Sequence, residues 1–218
     1  MSTFGEHASV EHFILLPGLD CDETTMEPIK RRLLRRCQEM QTTTLIGEYF
    51  LELESGRHRA WFRYPRDDQR DLTGPNRPRF ENLEVSIARV HEAIRDAISA
   101  GAAPHSIGLL GHSQGGAVAI AAALTFPETL GIVCSIAGYL ALPLEGVIYP
   151  TSTRFFLQHA HQDPIIRVHW AHYAHQWLLE HGYTSELVID DFEIHPHAMH
   201  PRQIAAIAAR SCKGVRVD

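Results

Sequence analysis

The chain has 218 residues and a formal net charge of −6, which disfavours nucleic acid or an anionic membrane surface as its main partner. With 44% hydrophobic and 21% charged residues it reads as one globular domain over 1–218, able to bury a sizeable core. No apolar run approaches the roughly 20 residues that cross a bilayer, so stable membrane insertion is not expected.

The N-terminus, "MSTFGEHASVEHFILLPG", has no basic stretch and no long apolar run, so it reads as lacking a signal peptide, and a cytoplasmic location is expected. "VEHFILLPG" (10–18) reads as a buried strand ending at Pro17-Gly18. Residues 25–37 read as a helix with Pro28 near its start and a basic face. Residues 42–55 and 57–65 look extended and are separated by Ser55-Gly56, a hairpin pattern. The polar, Pro/Gly/Arg-rich stretch 66–82 reads as a long loop. Leu83, Ile87, Val90, Ile94 and Ile98 recur at helical spacing over 81–101, and Gly101 stops the helix.

Further on, "SIGLLGH" is a strand, "GGAVAIAAALTFP" a helix, and "GIVCSIAGYLA" and "TRFFLQHAH" are strands. Residues 168–182 form a helix, "SELVIDDFEI" a strand and "PRQIAAIAARSCKG" the last helix. Strands alternating with helices predict an α/β fold, a mostly parallel central sheet with helices on both faces. Cys21, Cys37, Cys134 and Cys212 lie far apart and make no C-x-x-C, so four free thiols are expected.

Gly111-His112-Ser113-Gln114-Gly115 is a G-x-S-x-G sequence with an apolar strand before it and a small-residue helix after it. A sharp turn there lifts a serine hydroxyl clear of the sheet, strains its backbone and demands small residues two positions away. The following helix aims its N-terminus at the hydroxyl and favours negative charge there. A serine hydroxyl needs a base, and the base an orienting acid, in the chain order serine, acid, histidine. Asp163 follows a strand and precedes Pro164, which suits the acid; Asp190 and Asp191 compete but lie in or at the end of a strand. For the base, His195, His197 and His200 all stand between the last strand and the last helix, and position alone does not separate them.

These segments resemble the acyl-protein thioesterase, small carboxylesterase and lysophospholipase branch of the α/β-hydrolases. The family's G-F-S-Q-G-G-A appears as Gly111 to Ala117, and its H-G-x-x-D-P-x-V as "HAHQDPII", with the aspartate on Asp163. Its Y-x-G-x-x-H-S segment resembles "FEIHPHA", a register that places the catalytic histidine on His197. Its A-W-F-D resembles Ala60 to Arg63, and its first-strand L-H-G-L-G resembles "LPGLD", residues 16–20.

The resemblance implies an α/β-hydrolase cleaving carboxylic esters or thioesters with Ser113, His197 and Asp163, without cofactor or metal. Small-molecule esters or S-acylated proteins are the implied substrates. The backbone N–H groups of Leu19 and Gln114 would bind the oxyanion. Trp61, Leu142 and Pro143, with Leu19, Leu140 and Leu144, are candidates to line an acyl groove, against an ordinary core role. The serine nucleophile argues against the related dienelactone hydrolases, which use cysteine. Pro17 and Asp20 depart from the family pattern, and Asp20 would bring a negative charge beside the oxyanion hole unless it points away. That departure motivates a non-catalytic alternative, a module binding an acyl compound or a partner protein. A metal site built from His159, His161, His195, His197 and His200 is a weaker alternative, because their spacings fall in loops and no carboxylate pattern completes them. The sequence leaves the oligomeric state open, a homodimer included.

Overall fold

The computed structural model describes residues 9–37, 39–63, 80–142, 144–191 and 201–212. Six strands form one sheet: β1 (His12–Leu16), β2 (Gln41–Thr44), β5 (Ile107–His112), β6 (Ile132–Ile136), β7 (Arg154–Ala160) and β8 (Thr184–Asp190). Their order is β2-β1-β5-β6-β7-β8 and every neighbouring pair is parallel. The three central strands β5, β6 and β7 are buried along their whole length, as expected of a sheet covered on both faces. The edge strands β2 and β8 are half-buried and carry the polar residues.

Alternate residues of each strand serve opposite faces. Ile14, Leu109, Val133 and Phe155 join the core beneath α2 (Leu83–Ser99), α3 (Gln114–Leu124) and α4 (His169–Glu180). Phe13, Leu15, Leu110 and Phe156 join the core beneath α1 (Glu23–Arg36) and α5 (Pro201–Ser211). Helix α3 is Ala-rich and buried throughout, so its backbone lies close under the sheet. Helix α2 buries Leu83, Ile87, Val90 and Ile94 at the predicted spacing.

The differences from sequence expectation have local causes. Helix α1 begins two residues before the expected 25 because Asp22 closes a capping box with Thr25: Asp22 Oδ1 accepts from Thr25 N at 3.1 Å and Asp22 N donates to Thr25 Oγ1 at 3.3 Å. The stretch 42–55 is not one extended piece. Its start is β2, on the edge of the main sheet; after Gly47 the chain re-enters extended structure as β3 (Tyr49–Leu53). That strand pairs antiparallel with β4 (Gly56–Ala60) in the expected hairpin, which stands apart from the main sheet. Most of the predicted 66–82 loop lies outside the described residues.

The expectation of four free thiols is corrected. Cys37, the C-cap of α1, and Cys212, just past α5, form a disulfide with Cα atoms 6.1 Å apart. The two helices pack side by side on one face of the sheet, and that proximity brings together cysteines 175 residues apart. Cys21 and Cys134 remain free, and Cys134 is fully buried on β6, where desolvation pushes its thiol up to about 12.

Candidate active site

Parallel strands end together, and the loops that follow β5, β7 and β8 therefore gather along one edge of the sheet. Ser113 follows β5 directly and caps α3. Its φ of 52° and ψ of −120° are strained for a non-glycine residue, as the elbow motif predicts. The turn is held by Ser113 N donating to Ile136 O at 2.8 Å and Ala117 N donating to Ser113 O at 3.1 Å. A Cβ on Gly111 would strike the Gly115 backbone, and one on Gly115 would strike the carbonyl oxygens of Leu16 and Pro17. The two glycines thus let the tight turn at Ser113 press against the end of β1.

The loop after β1 lies against this elbow. A Cβ built on Gly18 would sit 3.3 Å from Ser113 Cβ. Among the described residues, neither Leu19 N–H nor Gln114 N–H has an acceptor. Asp20 has a φ of 58°, its N–H donates to Arg59 O at 2.7 Å, and its Oδ2 lies 2.9 Å from His58 Nδ1. Its carboxylate is therefore directed to the β3–β4 hairpin. Next to it, Cys21 has its thiol pushed up chiefly by burial, with Asp20 and Asp22 adding to the rise and Thr25 and Gly18 opposing it, so a thiolate there is disfavoured.

Asp163 sits in the turn after β7 with its side chain buried. Its Oδ1 accepts from Ile165 N at 2.8 Å and from Ile166 N at 2.9 Å, a turn that carries the chain past Pro164. Its Oδ2 lies 3.5 Å from Nε2 of His159, which donates to Ile166 O at 2.6 Å. His159, a metal candidate that also stands at the histidine of the family's H-G-x-x-D-P pattern, here braces the Asp163 turn. The rival Asp190 ends β8, where its Oδ2 accepts from Gln158 Nε2 at 2.8 Å and Gln203 Nε2 at 3.2 Å, and its carbonyl from His161 N at 2.8 Å. Those bonds tie β7, β8 and α5 together. Asp191 is exposed.

His195, His197 and His200 lie outside the described residues, as does Pro143. The segment holding the histidines joins the end of β8 to α5 and so leaves from the edge shared by Ser113 and Asp163. Leu142 is half-buried against the core and Leu140 is buried in it. Trp61 does not face an open groove. It is fully buried, its Nε1 donates to Pro17 O at 2.7 Å, and its N–H donates to Gln114 Oε1 at 2.8 Å. The motif resemblance marked the residue, and only the fold reveals its partners.

The family model for phospholipases and carboxylesterases matches residues 47–210, well over half of the chain. The chain belongs to this family. A probable carboxylesterase of Oryza sativa is 36% identical over 83 residues, 38% of this chain and 34% of that protein. Acyl-protein thioesterase 1 of Kluyveromyces lactis is 28% identical over 111 residues, 49% of each chain. The matches thus span half or less of these curated relatives. Among solved structures, SOBER1 of Arabidopsis thaliana superimposes with a TM-score of 0.78 at 21% identity, over 93% of this chain and 97% of that one. A carboxylesterase of Mesorhizobium loti gives 0.69 at 19% identity, over 93% and 88%. The fold is that of the α/β-hydrolases.

Proposed function

We propose that the chain is a serine hydrolase of carboxylic esters or thioesters. Ser113 Oγ attacks the substrate carbonyl carbon while His197 takes its proton. Asp163 holds the imidazole in the correct tautomer and stabilises the imidazolium. The tetrahedral oxygen takes hydrogen bonds from Leu19 N–H and Gln114 N–H. His197 then returns the proton to the departing alcohol or thiol, leaving an acyl-Ser113, and a water activated by the same base releases the acid. No cofactor enters this chemistry. Substrates are small-molecule esters or S-acylated proteins, in keeping with the carboxylesterase and acyl-protein thioesterase among the relatives.

The observation that carries the reading is the strained Ser113, buried glycine-tight against β1 with a helix N-terminus behind it. Such strain is maintained where a mechanism uses it. Asp163 supports it, since the amides of Ile165 and Ile166 fix its carboxylate in the turn after β7, at the edge of the sheet that also carries Ser113. The non-catalytic alternative rested on Pro17 and Asp20; Pro17 is tied to Trp61 and the Asp20 carboxylate is held by His58, directed to the hairpin. The test is turnover of p-nitrophenyl esters and acyl thioesters of graded chain length by the wild type and by Ser113→Ala. Hydrolysis by the wild type alone is expected; a Ser113→Ala protein that keeps most of the activity would overturn the reading.

A further inference from the structure

We infer that Trp61, with the Gln114 carboxamide, is a positioning unit that sets the separation of the two oxyanion-binding amides; this rests on the serine-hydrolase reading above. Three of its polar groups reach three different elements. Trp61 Nε1 donates to Pro17 O at 2.7 Å, in the loop that carries Leu19. Trp61 N donates to Gln114 Oε1 at 2.8 Å, on the residue that supplies the second amide. Trp61 O accepts from Ser86 Oγ on α2, which holds the residue from behind.

The neighbours complete the tie. Gln114 Nε2 donates to Phe62 O at 3.0 Å, so the carboxamide is bound by both its atoms to residues 61 and 62. Arg59 O accepts from Asp20 N at 2.7 Å, so the end of β4 grips the Leu19 loop on both sides, at Pro17 and at Asp20. A single stretch, 59–62, is thereby bonded to Pro17 and Asp20, one on each side of Leu19, and to Gln114 itself. Trp61 is fully buried and Gln114 is 2% exposed, so water does not compete for these bonds.

The physical consequence follows from what oxyanion stabilisation requires. The donors must stand in place before the charge develops, and small errors in position are costly. The hole is built from two segments far apart in sequence, one before α1 and one at the start of α3. They touch directly where Gly115 packs against Leu16 and Pro17, and the 59–62 stretch, bonded to both, fixes how they sit on each other.

The test uses Trp61→Phe, which deletes Nε1–H and keeps an aromatic ring, and Gln114→Met, which deletes the carboxamide and keeps the amide N–H. Active sites are first titrated with a fluorophosphonate, so that kcat is expressed per working site. Both variants should lose about 10- to 100-fold in kcat, as displaced catalytic groups do, with KM near the wild-type value. The Ki of a trifluoromethyl ketone, which forms the tetrahedral oxyanion, should rise by the same factor. A purely structural role would lower the number of titrated sites and leave kcat per site and Ki unchanged, and that result would overturn the inference. Should Trp61→Phe fail to fold, Gln114→Met decides alone. Failure of the underlying reading looks different: the wild type itself would not be titrated.

Discussion

The Asp20 carboxylate lies 2.9 Å from His58 Nδ1, across the gap between the loop after β1 and the β3–β4 hairpin. His58 Nε2 in turn meets Ser55 Oγ at 2.8 Å, which fixes the ring. Asp20 is more than half exposed, so the pair adds little to stability, on the order of 0–1 kcal/mol. Its consequence is at the candidate site, where it holds the Asp20 carboxylate, two residues from Gly18, toward the hairpin and away from Ser113. His58→Gln should lower kcat/KM by up to about fivefold, the equivalent of about 1 kcal/mol. Asp20→Asn in that background should restore it, since asparagine tolerates the positive φ and keeps the N–H bond to Arg59 O. Steady-state kinetics on the four proteins of the double-mutant cycle provide the check.

Ser113 holds a backbone conformation strained for a residue with a side chain. Replacing it by glycine, which adopts a φ of 52° freely, should abolish turnover and raise stability by about 1 kcal/mol or more. Thermal melts of Ser113→Gly, Ser113→Ala and wild type separate relief of strain from loss of the hydroxyl. A Ser113→Gly protein that melts below Ser113→Ala would contradict the strain.

Asp163 and Asp190 should respond oppositely. Asp163→Asn keeps an oxygen for the amides of Ile165 and Ile166 but loses the charge that steadies an imidazolium, and kcat should fall by a factor on the order of 10⁴. Asp190→Asn keeps an acceptor for Gln158 and Gln203 and should retain most of the activity. Among the histidines, His197→Ala should be inactive, whereas His195→Ala and His200→Ala should retain activity. A dead His195→Ala beside a live His197→Ala would move the base.

The disulfide between Cys37 and Cys212 closes a loop of most of the chain. Its reduction should cost about 2–4 kcal/mol of stability. Thiol titration of the denatured, unreduced protein should find Cys21 and Cys134 only, and four thiols after reduction. In the native state Cys134 should resist alkylation, because its thiol is buried and pushed up to about 12.

Acid should weaken the fold through three half-buried histidines. Burial holds the pKa of His12, His91 and His175 below the ordinary value, with His172 adding to the effect on His175 and Arg95 to that on His91. The folded protein then binds fewer protons than the unfolded chain once pH falls below the ordinary histidine pKa, so stability is full above about pH 6.5 and declines beneath it. The Tm should be lower at about pH 5.5 than at about pH 7.5. His91→Gln, which keeps a donor for Ala122 O, should narrow that difference.

Much of this was legible before the fold was known, and the remainder was hidden for physical reasons. Apolar runs such as 107–110 and 155–157 mark strands buried on both faces, and the Gly111-to-Gly115 pattern marks the elbow with its strained serine. The spacing of Leu83, Ile87, Val90 and Ile94 marks the buried face of α2. What sequence order hides is contact between distant segments. The Cys37–Cys212 pairing emerges only once α1 and α5 share a face, and the bond between Trp61 and Gln114 spans 53 residues. The sequence leaves Trp61 between a groove and a core role, because an aromatic residue in a family motif carries no sign of whether its indole N–H faces substrate or backbone. The turn at Asp163 is legible from chain order, whereas the H-G-x-x-D-P pattern marks His159 without saying that its ring meets Asp163 and Ile166.

The central claim, an activated serine at the elbow, is tested most directly by labelling with a fluorophosphonate probe and locating the adduct by peptide mass spectrometry. Wild type, Ser113→Ala and His197→Ala are compared as folded proteins. The account predicts a single adduct on Ser113 that is absent from both variants. Folded wild-type protein that takes no label, or label that persists in Ser113→Ala, would contradict it.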